Sequence, residues 1–317
     1  MALPTPVSSS SPSSVAPIKI TLKWPQGHTR RQDDNSSTLA PVISKNFPDP
    51  ALLQDASGKW LSFATSGNGY HIQVATADDV FGPWTVLDKD ALPGTGWTSG
   101  ANFWAPDVRM LGDGSYIMYF SGELPEGGHC VGTARSRTSS GPYTIDDGGP
   151  LVCPREQGGA IDPAGFYDEA TGRRYIVYKV DGNALGGGAP TPLQLQRVSA
   201  SDGATLIGDP VTIMDRIEAD DGPLVEAPNL VKLRDGRYLL FFSSHMYTDD
   251  AYDVKYAVAD AVAGPYVRGP APLLSTPELG LRGPGGATSD EDGGVLVFHG
   301  WCEENVRCMY VMGYGIQ

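Results

Sequence analysis

The sequence predicts an all-β, five-bladed β-propeller, and three observations carry the prediction. Short runs of aromatic and β-branched residues recur at a spacing of roughly 60 residues, within reach of the longer propeller-blade periods. Glycine (40) and proline (26) are abundant in the 317 residues, which suits a fold of short strands joined by turns. No stretch carries the periodicity of a helix of useful length.

The recurring runs are GKWLSFATS from Gly58, GSYIMYFSG from Gly114, RRYIVYKVDGN from Arg173, GRYLLFFSS from Gly236 and GGVLVFHGW from Gly293, each preceded by a turn. The second half of each unit also repeats. HIQVATADDVFGPW (His71–Trp84), CVGTARSRTSSGPY (Cys130–Tyr143) and DVKYAVADAVAGPY (Asp253–Tyr266) share an alternating strand, a small polar turn and a Gly-Pro-aromatic opening to another strand. QLQRVSASDGATL (Gln194–Leu206) is a weaker copy without Gly-Pro, and CMYVMGYG (Cys308–Gly315) is truncated. Four strands per unit and five units make a propeller. The fifth unit is short, and a strand near Leu39–Ser44 is expected to complete the ring. A pair of β-sandwiches is the alternative, and it leaves the five-fold repeat unexplained.

Residues 39–317 are therefore read as the propeller and 1–38 as a separate Pro/Ser-rich segment, a pro-segment or linker. PTPVSSSSPSSVAP is low in complexity and lacks the apolar core of a signal peptide. Arg30–Arg31 is either a dibasic cleavage pair or an ordinary basic pair in a loop. IKITLKW (Ile18–Trp24) alternates as a strand does and is expected to order against the main domain.

Net charge is −14 and the sequence pI is about 4.7, which argues against nucleic acid as the main partner, because phosphate binding needs basic surface. No run of 18 or more apolar residues is present, so no membrane span is expected. Four cysteines, Cys130, Cys153, Cys302 and Cys308, allow three pairings, and none has zinc-site spacing. Cys302 and Cys308 are close enough for a hairpin disulfide, which would suit an oxidising compartment; four unpaired thiols are the alternative.

Candidate chemistry lies in a set of carboxylates beside prolines: NFPDPALL with Asp49, WAPDV with Asp107, AIDPAGF with Asp162 and VEAPNL with Glu226. Each stands ahead of a strand of a different blade. Inner strands of a propeller converge on its axis, so Asp49, Asp162 and Glu226 are expected to meet in one funnel. Clustered carboxylates disfavour joint ionisation, so one pKa rises. A protonated carboxyl beside an ionised one is the equipment of glycoside hydrolysis.

These tags in this order, with YKVDGN, GPYVRG and FHGW as further pieces, resemble the family 43 glycoside hydrolases from about Leu39 to the last residue. The resemblance implies a five-bladed propeller and single-displacement, inverting hydrolysis of α-L-arabinofuranosyl or β-D-xylosyl linkages. It implies Asp49 as general base, Glu226 as general acid, and Asp162 as the residue that orients the acid and keeps its pKa up. Asp107 is read as structural. Phe103 and Trp104 are candidates for stacking on a sugar ring or for packing between blades. Asn183 is a candidate pocket wall or turn residue, His245 a candidate for facing the funnel, and His299 a core histidine. The Asp181–Leu195 insertion is a candidate wall at one end.

Many members of that family carry GPGH at the start of the last blade, with the His beside a central metal ion, often calcium. Here the string is GPGGATSD and Gly286 stands at that place, so no metal ligand and no required cofactor are assigned. The expected substrate is arabinan, arabinoxylan or a derived oligosaccharide, handled by a secreted monomer. Absence of an added C-terminal β-sandwich favours arabinofuranosyl substrates over a β-xylosidase reading. A non-catalytic sugar-binding propeller is the rival outside the enzyme class, and the intact carboxylate trio argues against it. WD and kelch signatures of protein-interaction propellers are absent.

Overall fold

The computed structural model describes residues 15–16, 18–24 and 38–317. Most of the Pro/Ser-rich tract and the Arg30–Arg31 pair lie outside the described residues.

Five four-stranded antiparallel sheets form the five blades. The closing strand comes first in the chain, β1 (Ile20–Lys23). Blade one is β2 (Ala51–Gln54), β3 (Trp60–Ala64), β4 (Gln73–Ala77) and β5 (Thr85–Val86). Blade two is β6 (Trp104–Met110), β7 (Tyr116–Glu123), β8 (His129–Ser136) and β9 (Thr144–Ile145). Blade three is β10 (Ala160–Asp168), β11 (Arg173–Val180), β12 (Leu193–Val198) and β13 (Val211–Met214). Blade four is β14 (Val225–Lys232), β15 (Tyr238–Ser244), β16 (Asp253–Ala259) and β17 (Val267–Arg268). Blade five is β18 (Gly285–Ser289), β19 (Val295–Glu303) and β20 (Val306–Ile316), with β1 as its outermost strand. The one α-helical turn among the described residues is α1 (Glu218–Asp221), between blades three and four. No helix among them is long and apolar enough to cross a membrane.

The ring closes differently from the expectation. β1 pairs with β20 from Ile20↔Ile316 to Lys23↔Gly313. Leu39–Ser44 contributes a single bridge, Ile43↔Met309, to the same strand. Pro41 withholds a donor from that stretch, whereas β1 can pair at every residue, and Ile18 ahead of it and Ile20 within it are buried in the core shared by blades four and five. Part of the segment assigned by sequence to 1–38 therefore builds the propeller.

The second strands are buried along almost their whole length, with Phe63, Phe120, Phe241 and Phe298 at or near zero exposure. They are sandwiched between neighbouring blades, which explains why they read as continuous apolar runs. The Gly-Pro-aromatic turns fold each aromatic head back onto a carbonyl four residues earlier. Trp84 Nε1 donates to Val80 O (2.9 Å), Tyr143 OH to Ser139 O (2.6 Å) and Tyr266 OH to Val262 O (3.0 Å). Two disulfides, Cys130–Cys153 and Cys302–Cys308, account for all four cysteines.

Candidate active site

Each inner strand starts with one residue in the left-handed region: Asp49 (φ 53°), Ala105 (42°), Asp162 (55°), Ala227 (50°) and Gly286 (58°). Four of these precede a proline, and the strands bulge there in blades two to five. Non-glycine residues rarely adopt this conformation, at a cost of about 1–2 kcal/mol each. Each must be held in place, and the holding follows a rule. Thr65 Oγ1 accepts the Ala105 N–H (2.8 Å), Ser121 Oγ that of Asp162 (3.0 Å), Ser243 Oγ that of Gly286 (3.0 Å) and His299 Nδ1 that of Asp49 (3.0 Å). In each case a side chain at the end of one blade's second strand latches the inner strand of the next.

Blade three breaks the rule. Lys179 stands opposite Ile161 as Ser121 stands opposite Trp104 and Ser243 opposite Glu226. An ammonium has no acceptor. The Ala227 N–H is taken instead by Asp162 Oδ2 (3.0 Å). Lys179 Nζ turns to Glu226 Oε2 (2.9 Å) and Asp181 Oδ1 (3.2 Å).

The starts of the inner strands, bulged in blades two to five, present the carboxylates to a cavity of about 440 Å³ at the axis, lined by Asp49, Asp162 and Glu226 with Trp104, Asn183 and Arg307 among others. The sequence reading treats Glu226 as equivalent to the two aspartates. In the fold it stands one position earlier, in the place of Trp104 and Ile161, and the left-handed residue of its blade is Ala227.

The electrostatics separate the carboxylates. Burial alone would raise Asp49, but Arg307 (Nη1 to Oδ1, 3.4 Å), His299 and the Thr65 hydroxyl (to Oδ2, 2.6 Å) hold it below the usual range, so it is ionised. His299 is fully buried beside Arg307, and its pKa falls to about 3, so its ring is a neutral support rather than an ionic partner. Asp162 is pushed up to about 8 by burial and then by Glu226, with Lys179 opposing. Asp162 therefore keeps its proton near neutrality, beside Glu226 and across from an ionised Asp49. Tyr252 OH donates to Glu226 Oε1 (2.8 Å), and burial followed by the carboxylates keeps that phenol protonated. An ionised carboxylate, Asp49, therefore shares the cavity with a protonated one, Asp162, next to Glu226, the kind of divided setting that base and acid in one site require.

Trp104 and Asn183 line the cavity as well. The Trp104 indole stacks on His129, with ring centroids 3.5 Å apart. Asn183 Oδ1 is buried with no hydrogen-bond partner among the described residues. Two expected contacts are corrected. Phe103 is fully buried and faces away from the cavity, stacked on His71 (4.6 Å) and tilted against Phe120 (5.8 Å) in the seam between blades one and two. Successive residues point to opposite faces, so Trp104 and Phe103 cannot both reach a sugar. His245 (φ 66°) donates its N–H to Asp221 O (2.9 Å), and its ring abuts Gly222, where a Cβ would lie 2.7 Å from Nδ1. Met246 and Tyr247 line the cavity in its stead. Asp107 is occupied by Arg109 (2.8 and 2.9 Å) and the Gly165 N–H (2.7 Å).

Lys179, Tyr252, Arg307 and the His299–Asp49 contact were missed by sequence reasoning. Lys179 did carry a signal, since a lysine inside the apolar run YIVYKV must be paired when buried. Tyr252, in a loop, and Arg307, in β20, lie far in sequence from the three cavity carboxylates and offered none.

Among the described residues no group of three or more His, Cys, Asp or Glu is placed to hold a metal. Gly286 carries no side chain to serve as a ligand, and His299 Nδ1 accepts the Asp49 N–H.

Fold and site together define a five-bladed propeller with a buried carboxylate cluster, flanked by fixed cations, at its axis. The model of glycosyl hydrolases family 43 matches residues 38–308, and the chain belongs to that family. It is 33% identical over 110 residues to a protein of Aspergillus flavus named probable arabinan endo-1,5-alpha-L-arabinosidase A, covering 34% of this chain and 33% of that one. It is 37% identical over 107 residues to a protein of Aspergillus clavatus named probable arabinan endo-1,5-alpha-L-arabinosidase C, covering 32% and 31%. The matched segment thus spans about a third of the length of these relatives. Among solved structures, a thermostable family-43 glycoside hydrolase superposes with a TM-score of 0.74 at 24% identity over 88% of this chain and 91% of that one. An endo-arabinase from Bacteroides thetaiotaomicron gives 0.72 at 21% over 89% and 98%. At such identity these two likenesses speak for the fold.

Proposed function

We propose that this protein is an inverting glycoside hydrolase that cleaves α-L-arabinofuranosyl linkages in arabinan or arabinose-decorated hemicellulose. The observation that carries the reading is the division of labour in the cavity: Asp49 held ionised by Arg307, and Asp162 holding a proton beside Glu226, whose two oxygens are fixed by Lys179 and Tyr252. In this mechanism Asp49 takes a proton from water as the water oxygen attacks the anomeric carbon. The glycosidic C–O bond breaks, its electron pair stays with the leaving oxygen, and Glu226 delivers the proton to that oxygen. Asp162, bonded to the N–H next to Glu226, orients the acid. Trp104 offers a stacking face and Asn183 Oδ1 an open acceptor for a hydroxyl. The arabinan preference rests on the names of the similar Aspergillus proteins. The two disulfides fit an enzyme working outside the cell, and a site complete within one chain fits a monomer.

The test is product release from aryl α-L-arabinofuranoside, aryl β-D-xyloside and debranched arabinan, with Glu226→Ala as control. Activity on an arabinofuranosyl substrate that disappears in the variant supports the reading. A preference for the xyloside would move the substrate to xylan. No turnover by the folded protein on any of the three would overturn the reading.

A further inference from the structure

We propose that Lys179 is a positioning residue that confines the transferable proton of Glu226 to Oε1. The inference rests on the reading of Glu226 as general acid and starts from the broken latch. Four blades place a hydroxyl or imidazole acceptor at the end of the second strand, and the third places an ammonium. That side chain is 1% exposed, so its charge has no recourse to water, and it reaches Glu226 Oε2 at 2.9 Å.

An ammonium can only donate. A proton on Oε2 would leave the buried ammonium only the weak acceptor of a carboxyl hydroxyl in place of a full carboxylate or carbonyl oxygen, so the contact with Lys179 favours the proton on Oε1. There the partner is the Tyr252 hydroxyl, 2.8 Å away. A hydroxyl can donate to ionised Oε1 or accept from protonated Oε1 by rotating its hydrogen. The two ends of the carboxyl are thus unlike: one is fixed as an acceptor, the other switches with the proton. The exchange also frees Asp162 to bind the Ala227 N–H and so brace the backbone next to the acid.

The charged and titratable groups facing the pair are Lys179 and Asp181 of blade three and Tyr252 of blade four. Asp49, with Arg307 and His299 behind it, stands across the cavity. Lys179 is the cation in direct contact with Glu226.

The decisive variant is Lys179→Ser, which installs the residue found at the equivalent place in blades two and four and offers the Ala227 N–H a second acceptor beside Asp162 Oδ2. Lys179→Arg keeps the charge. On an arabino-oligosaccharide, whose leaving group needs acid assistance, kcat in Lys179→Ser should fall about 100-fold; on an aryl glycoside with a good leaving group the fall should be under about 10-fold. The arginine variant should recover part of the loss. Carbon-13 titration of the Asp162 and Glu226 carboxyls in the free protein should show their pair shifted up by about one pH unit or more in Lys179→Ser.

Equal losses on both substrates would reduce Lys179 to a structural role and overturn the proposal, as would an unmoved titration. If the wild-type protein turned over no glycoside, the hydrolase reading would fail. The titration would then still decide whether Lys179 governs the carboxyl pair.

Discussion

Glu226 and Asp49 occupy different electrostatic settings, and their variants should fail differently. Glu226→Gln should lower kcat on arabino-oligosaccharides by about 10²–10⁴-fold while sparing much of the turnover of activated aryl glycosides, which need little acid help. Asp49→Asn should stop both, and near-wild-type rates in that variant would remove Asp49 as base. Asp162 makes a prediction about stability. Its folded-state pKa is raised, so the folded chain holds the proton more tightly than the unfolded chain does. That stabilisation is complete below about pH 4, the ordinary carboxyl range, and is lost as pH rises through about 8. The melting temperature of wild type minus that of Asp162→Asn should therefore fall from about pH 4 to about pH 8, and a flat difference would contradict the raised pKa. The three carboxylates were legible because each is tied to a proline in a repeated string. Phe103 and His245 misled because adjacency to a motif says nothing about which face a side chain takes, and that is decided by the pleat and by one left-handed residue.

At the scale of elements, the β19–β20 hairpin matters most for the site. Cys302 and Cys308 clasp it, and Arg307 sits inside the clasp. Its backbone N–H donates to Asn46 Oδ1 (3.1 Å), its carbonyl accepts from Phe47 N–H (2.8 Å), and its guanidinium lies over the Tyr247 ring (4.7 Å) before reaching Asp49. The double change Cys302→Ser, Cys308→Ser should lower stability by about 2 kcal/mol, the value for closing so short a loop. It should also lower kcat/KM well below the melting temperature, because Asp49 loses its fixed counter-charge. Unchanged kinetics with lowered stability would show that Arg307 is held by its other contacts alone. The hairpin itself was readable from FHGW and CMYVMGYG, but its contact with Asp49 joins residues 258 apart and leaves no local trace.

For the whole molecule, closure of the ring was the part least visible beforehand. The repeat gave five units and their strands, and the short fifth unit announced that something was missing. Two candidate segments lay upstream, and proximity favoured the wrong one. β1 wins because Ile18 and Ile20 are buried in the core shared by blades four and five and because its alternation meets β20 in register. Deleting residues 1–24 should therefore cost roughly 3–6 kcal/mol, the burial of two isoleucines, read as a lower urea midpoint. It should also expose a long edge on β20 that promotes association. An unchanged midpoint would mean that closure by β1 adds nothing to the fold.

Gly286 and His299 are two positions with room for one ring. A Cβ at Gly286 would come within 2.8 Å of the His299 imidazole and 3.1 Å of Asp49 Oδ1. The effects of substitutions at the two positions should therefore be non-additive. Gly286→His alone should displace His299 from the Asp49 N–H and cost both stability and kcat/KM. Gly286→His joined to His299→Gly should recover part of both, if the new ring can brace Asp49 from the first strand instead of the second. A lineage that carries its histidine on one strand is then separated from one that carries it on the other by an intermediate less fit than either. In this chain the glycine leaves the space to the ring of His299.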